Sequence, residues 1–175
     1  MDNYLNYQSG NSAFTYISQA QNAYSHYLQK KVELSTLDGN LNAANRQFEV
    51  FPTQQNIFAV QEAWNRKLIA MQQIPQLVSD IAINLKEATK QAFTSIQMGL
   101  ATNNKVNIIL SDNTLSSILV FLEQNPMKPY LPTLYKQYCV NDNISMQVSD
   151  IEIRVQLNRM TIPNFDRLKV IIRGY

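Results

Sequence analysis

The chain has one histidine and one cysteine, the two side chains with the widest catalytic and metal-binding repertoire. His26 stands between Tyr24 and Tyr27 in a stretch of helical spacing. No serine, cysteine or aspartate accompanies it in a recognisable motif, so it reads as an ordinary helix residue. A zinc site built on one His and one Cys would need carboxylates for its other ligands, and no structural metal is expected. Cys139 follows Tyr130, Tyr135 and Tyr138, with only Lys136 near enough in sequence to lower its pKa. That setting suits a small buried hydrophobe better than a nucleophile.

Paired carboxylates could do acid–base work. The candidates are Asp142, Asp150, Glu152 and Asp166, and Asp150 and Glu152 would share one face of a strand. Two solvated charges on one strand face is the plainer reading. The glycines, Gly10, Gly39, Gly99 and Gly174, fit neither G-x-G-x-x-G nor a Gly-Lys-Ser/Thr loop, which excludes the common phosphate cradles. Arg154, Arg159, Arg167, Lys169 and Arg173 interleave with Phe165 and Tyr175, but Asp150, Glu152 and Asp166 dilute them, and the net charge is only +2. A nucleic-acid partner is therefore not expected. These residues point to no enzyme, no catalytic residue and no cofactor.

The remaining candidates are contact residues. Tyr4, Tyr7, Tyr16, Tyr24 and Tyr27 crowd the first helix and its approach. Tyrosine is enriched at protein interfaces, and equally serves a helix–helix core. Near the other end, Val170, Ile171 and Ile172 put apolar groups on both faces of what alternates like a strand, with Tyr175 beyond them. A strand apolar on both faces wants cover on both, one of them from a neighbouring chain.

The elements that would hold these residues are dominated by two stripes of apolar residues three and four apart. The first runs from Ala13 through Ile17, Ala20, Tyr24, Tyr27, Leu34, Leu37, Leu41, Ala44, Phe48 and Phe51. The second runs from Ile57 through Val60, Trp64, Leu68, Met71, Ile74, Val78, Ile81, Leu85, Ala88, Ala92 and Ile96. Pro52 lies between them, since a proline disfavours helix in the residue before it, and Thr53 would cap the second helix. Two such helices predict an antiparallel hairpin, with Leu34 and Val78 on facing helices. Asp38-Gly39-Asn40 and Pro75 are soft spots that the apolar phase survives.

The expected organisation is a lead-in segment over residues 1–11, with Ser12 as first cap, and a long helical hairpin over 12–103. A small α+β lobe over 104–175 follows. In that lobe Val106-Asn107-Ile108-Ile109-Leu110 reads as a short strand, and Ser111 or Asp112 caps a helix. Met146, Val148, Ile151, Ile153, Val155 and Leu157 alternate as one further strand, and Leu168, Val170 and Ile172 as another. The fold class expected is α+β, mainly α, with antiparallel strands at the end.

Charged residues make up 16% of the chain, against roughly 25% in an average globular protein. Asn and Gln supply about one residue in five instead. Such faces fit either an amide-biased genome or packing against other chains, because interface cores are poor in Lys, Glu and Asp. No signal-peptide pattern opens the chain, and no apolar run approaches the roughly 20 residues of a membrane span. The expectation is a soluble protein made in a cytoplasm, acting as a structural or assembly subunit of a homo-oligomer or a larger hetero-complex. A phage virion component (head, neck or tail) or a secretion-machine part would fit, with incorporation into a virion in the first case. The alternative is a soluble adaptor or chaperone-like module that uses the hairpin groove.

Overall fold

The computed structural model describes the backbone of residues 2–123, 127 and 130–173, and the side chains of residues 12–123, 127 and 130–173. Its helices are α1 (Asp2–Val50), α2 (Gln54–Ala101), α3 (Lys105–Glu123), α4 (Tyr130–Asn141), α5 (Ile144–Leu157) and α6 (Pro163–Arg173). Helix accounts for 91% of the described residues, and no strand occurs among them. Packing divides it into two compact units, one formed by Asn22–Val78 and the other by Met1–Gln21 together with Ser79–Tyr175.

The unit Asn22–Val78 is a hairpin of two helical arms. Its turn is closed by side chains. The Asn56 N–H donates to Thr53 Oγ1 at 3.2 Å, which makes Thr53 the cap of α2. The Asn56 side-chain amide donates to the Phe51 carbonyl at 2.7 Å and satisfies the end of α1. Along α1 the buried and half-buried residues are Tyr27, Lys30, Leu34, Leu37, Leu41, Ala44 and Phe48. Along α2 they include Asn56, Val60, Ala63, Lys67, Ala70, Ile74 and Leu77. Both rows alternate steps of three and four, the seam of an antiparallel coiled coil. The register is fixed by Lys67, whose ammonium meets the Asp38 carboxylate across the seam at 2.7 Å. These residues are nearly equidistant from Pro52, so Leu34 stands level with Ala70 and Met71. Val78 lies two turns further on and does not face it.

α1 starts at Asp2, so helix replaces the lead-in and Ser12 is not its cap. It also passes Asp38-Gly39-Asn40 without a break, and α2 passes Pro75, whose side chain is exposed.

The expected α+β lobe is overturned: residues 105–173 fold as α3 to α6. In α5 the fully buried residues are Ile144, Val148 and Ile151, at steps of four and three. Ile153 and Leu157, which complete the alternating pattern, are 59% and 78% exposed. A run apolar at both periods follows the one that buries its larger share. In α6 the buried set is Phe165, Leu168 and Ile172. Pro163 is its first residue, where a missing N–H costs nothing. Asp166 in the first turn and Arg173 in the last complement the helix dipole. Val106-Asn107-Ile108-Ile109-Leu110 is the start of α3, whose N-terminus Asn104 caps through Oδ1 to the Asn107 N–H at 3.2 Å.

The bends between these helices use left-handed backbone at Asn103, Asn143 and Arg159. After α5 the Met160 N–H donates to Val155 O, and the Arg159 N–H to Gln156 O. This is a Schellman termination with arginine where glycine is usual. α6 packs on α3, α4 and α5. Phe93 of α2 and Phe165 of α6 meet edge to face, their centroids 5.4 Å apart. α3 is the one helix among the described residues long and apolar enough to cross a membrane by length and composition, and 44% of that stretch is buried inside the fold.

Candidate interaction surface

The side chains that looked chemical are each accounted for by local contacts. Cys139 is fully buried, and burial pushes its thiol up to about 12, far from a thiolate at neutral pH. Beside it the buried Tyr135 hydroxyl donates to Thr89 Oγ1 at 2.6 Å, while Thr89 donates to the Leu85 carbonyl. Burial raises the Tyr135 pKa well above its ordinary value. Asp142 accepts from Lys86 at 3.1 Å and Lys90 at 3.2 Å, and the Lys86 hydrogen bond leads the causes that hold its carboxyl below the ordinary range. Burial acts to lower the Lys86 pKa, but Glu87 and Asp142 outweigh it and the net shift is upward. Asp150 accepts from Gln97 at 2.8 Å and from Arg154, and the Gln97 bond leads its downward shift. Glu152 pairs with Lys169 and Arg173, and Arg167 pairs with Glu123.

The acidic candidates are thus neutralised, Asp142 by Lys86 and Lys90 and Asp150, Glu152 and Asp166 by Arg154, Lys169 and Arg173. Arg154, Arg167, Lys169 and Arg173 are spent on ion pairs within the C-terminal unit, which leaves little of a basic face. Among the described residues no group of three or more His, Cys, Asp or Glu could hold a metal ion. His26 lines a surface groove of about 390 Å³ on one flank of the hairpin, with Gln29, Lys30, Glu33, Gln73, Gln76 and Leu77. Its charges include an ion pair between Lys30 and Glu33 at 2.7 Å, and its lining holds no Ser, Thr or Cys for His26 to activate.

Of the contact candidates, the side chains of Tyr4, Tyr7 and Tyr175 lie outside the described residues, and Tyr16 is half-buried. The expected strand through Val170, Ile171 and Ile172 is helix α6, where successive residues point about 100° apart. Ile172 therefore enters the core, Ile171 is half-buried and Val170 is 43% exposed.

What the structure brings together lies on the hairpin. In α2 the residue after every second seam position is large and apolar: Ile57, Trp64 and Met71, seven apart. All three are exposed, Trp64 by 46%. Seven residues bring a helix back to nearly the same face, so they form a straight row beside the seam. Half-buried Leu68 widens the row, and Gln61, Asn65 and Gln72 border it without a charge. At the turn it continues into exposed Val50, Phe51 and Phe58, the last 59% exposed. Lys67 sits over the Trp64 ring at 5.4 Å from its centroid while it bonds Asp38, which ties the indole to the seam.

The apolar stripe of α2 already contains these three residues, but by size they look like the seam. The seam positions between them are Val60, Ala63, Lys67 and Ala70 instead. The two alanines leave room for Leu34 and Leu41 of α1, which stand near the same levels. The legible signal is that α2 carries one apolar row more than a two-helix seam can cover. No family model, curated protein or solved structure matches this chain.

Proposed function

We propose that this protein is a non-enzymatic assembly subunit that works by seating another protein surface on the uncovered flank of its hairpin. The observation that carries this reading is the row Ile57, Trp64 and Met71, continued at the turn by Phe51 and Phe58. Single exposed apolar residues are normal on any protein. A heptad-spaced row of them, bordered by amides on its side away from the seam, is the pattern a further helix covers. Tryptophan at its centre supports the reading, because buried aromatic anchors dominate interface energetics. The same spacing favours a second reading, an adaptor that holds a partner's amphipathic helix along α2.

The test is site-specific photo-crosslinking in the cells that make the protein. A photoreactive residue at position 64 should yield adducts of discrete mass, while one at Arg66, on the opposite side of α2, should yield none. Equal labelling from both positions, or none from position 64, would remove the flank as the working surface.

A further inference from the structure

We infer that the occupant of this flank is the same flank of a second copy, laid antiparallel about a twofold axis at Trp64, so that two hairpins close into a four-helix bundle. This rests on the reading of the flank as an interaction surface and names its partner.

The row is symmetric about its centre. Ile57 and Met71 lie seven residues to either side of Trp64, so a twofold axis there sets tryptophan on tryptophan and isoleucine on methionine. An interface between identical patches must be self-complementary in this way. A parallel pairing of the same rows would be offset or would leave one end uncovered.

Charge points to the same arrangement. On the α1 side of the flank lie Lys31, Asp38 and Glu49. Asp38 is taken by Lys67. Lys31 and Glu49 have no ion-pair partner among the described residues, and the Lys31 ammonium touches only the Tyr27 ring, 5.7 Å from its centroid. By the register that Asp38 and Lys67 fix, Lys31 is level with Ile74 and Glu49 with Asn56. The twofold axis carries the level of Ile74 onto that of Gln54, which sets Lys31 beside Glu49 of the second copy, twice over. The opposite flank, where the groove is lined by Gln29, Lys30, Glu33, Gln73 and Gln76, offers no such heptad row of large apolar residues for a copy to cover.

The experiment measures the mass of the purified full chain by sedimentation across a concentration series. A dimer of the 20.1 kDa chain is expected. Trp64→Gln should be monomeric with its helical circular dichroism intact. Lys31→Glu should weaken the dimer by about tenfold, since it sets like charges together at two symmetric places. The double variant Lys31→Glu/Glu49→Lys should restore it. A chain that is monomeric throughout, or a dimer insensitive to Lys31→Glu, overturns the antiparallel pairing. The adduct from position 64 separates the two failures. An adduct with a protein of different mass removes the self-pairing and keeps the flank as an interaction surface, whereas no adduct removes both.

Discussion

Asp112 shows how far a cap can reach. It is nearly fully buried in the middle of α3, and its carboxylate accepts the backbone N–H groups of Phe165 at 2.8 Å and Asn164 at 3.2 Å. It therefore closes the N-terminus of α6, whose preceding residue is the apolar Ile162, and not that of its own helix. The sequence marks Asp112 as a capping residue, but nothing local says which helix it caps. Asp112→Ala should cost about 1–3 kcal/mol, because two buried N–H groups lose their acceptor. Equilibrium urea unfolding of the variant checks it. The two structural aspartates respond to pH in opposite senses. Burial raises the Asp112 pKa above 3.8 against the pull of Phe165 and Asn164, so its protonated form is favoured by folding. That contribution is full below 3.8 and is lost as pH rises through the folded value. Lys86, then Lys90, lower the Asp142 pKa, so its contribution is present above 3.8 and is lost as pH falls through the folded value. The stability gap between the parent and Asp142→Asn should shrink between about pH 7 and about pH 3. A gap that stays constant over that range would mean that the Lys86 pairing does not contribute.

At the scale of elements, the long helices were legible because each repeats one signal over dozens of residues. The short ones were not. In α5 and α6 the residues Ile151, Val155, Leu168 and Ile172 satisfy a period of two and a helical period over too few turns to tell them apart. What decided was tertiary: one helical face meets the core, and Asp112 supplies a cap that no local pattern reveals. The turns were legible in part, since Asn103 and Asn143 are residues that accept left-handed backbone, while Arg159 gave no warning. Two glycines test this account of the helices. Gly39 lies inside α1 with nothing within 4 Å of where a Cβ would stand. Gly39→Ala should stabilise by about 1 kcal/mol, the helix preference of alanine. At Gly99 a Cβ would come within 2.7 Å of Cγ1 of the buried Ile108, where α3 turns back on the end of α2. Gly99→Ala should destabilise by about 1–3 kcal/mol through overpacking. Thermal melts of the two variants should move in opposite directions, and a shared direction would contradict the packing at the α2–α3 bend.

At the scale of the molecule, each unit has its own logic. The C-terminal unit sets many of its charged side chains in ion pairs and caps and buries an apolar core, while Val106, Ile109, Leu110, Ile153 and Leu157 stay exposed. The hairpin leaves an apolar row over. The low charge content of the chain takes on meaning there, because the residues that border the row on its side away from the seam, Gln61, Asn65 and Gln72, are amides. The central claim is that this row becomes buried when the protein assembles, and the chain carries its own reporter, since Trp64 is the only tryptophan. The direct measurement is Trp64 emission and its quenching by acrylamide, followed together with mass as concentration rises. As the mass increases, the emission should move to shorter wavelength and quenching should fall. An assembled protein whose Trp64 emits and quenches as it does in the monomer would contradict the claim and place the assembly contacts elsewhere.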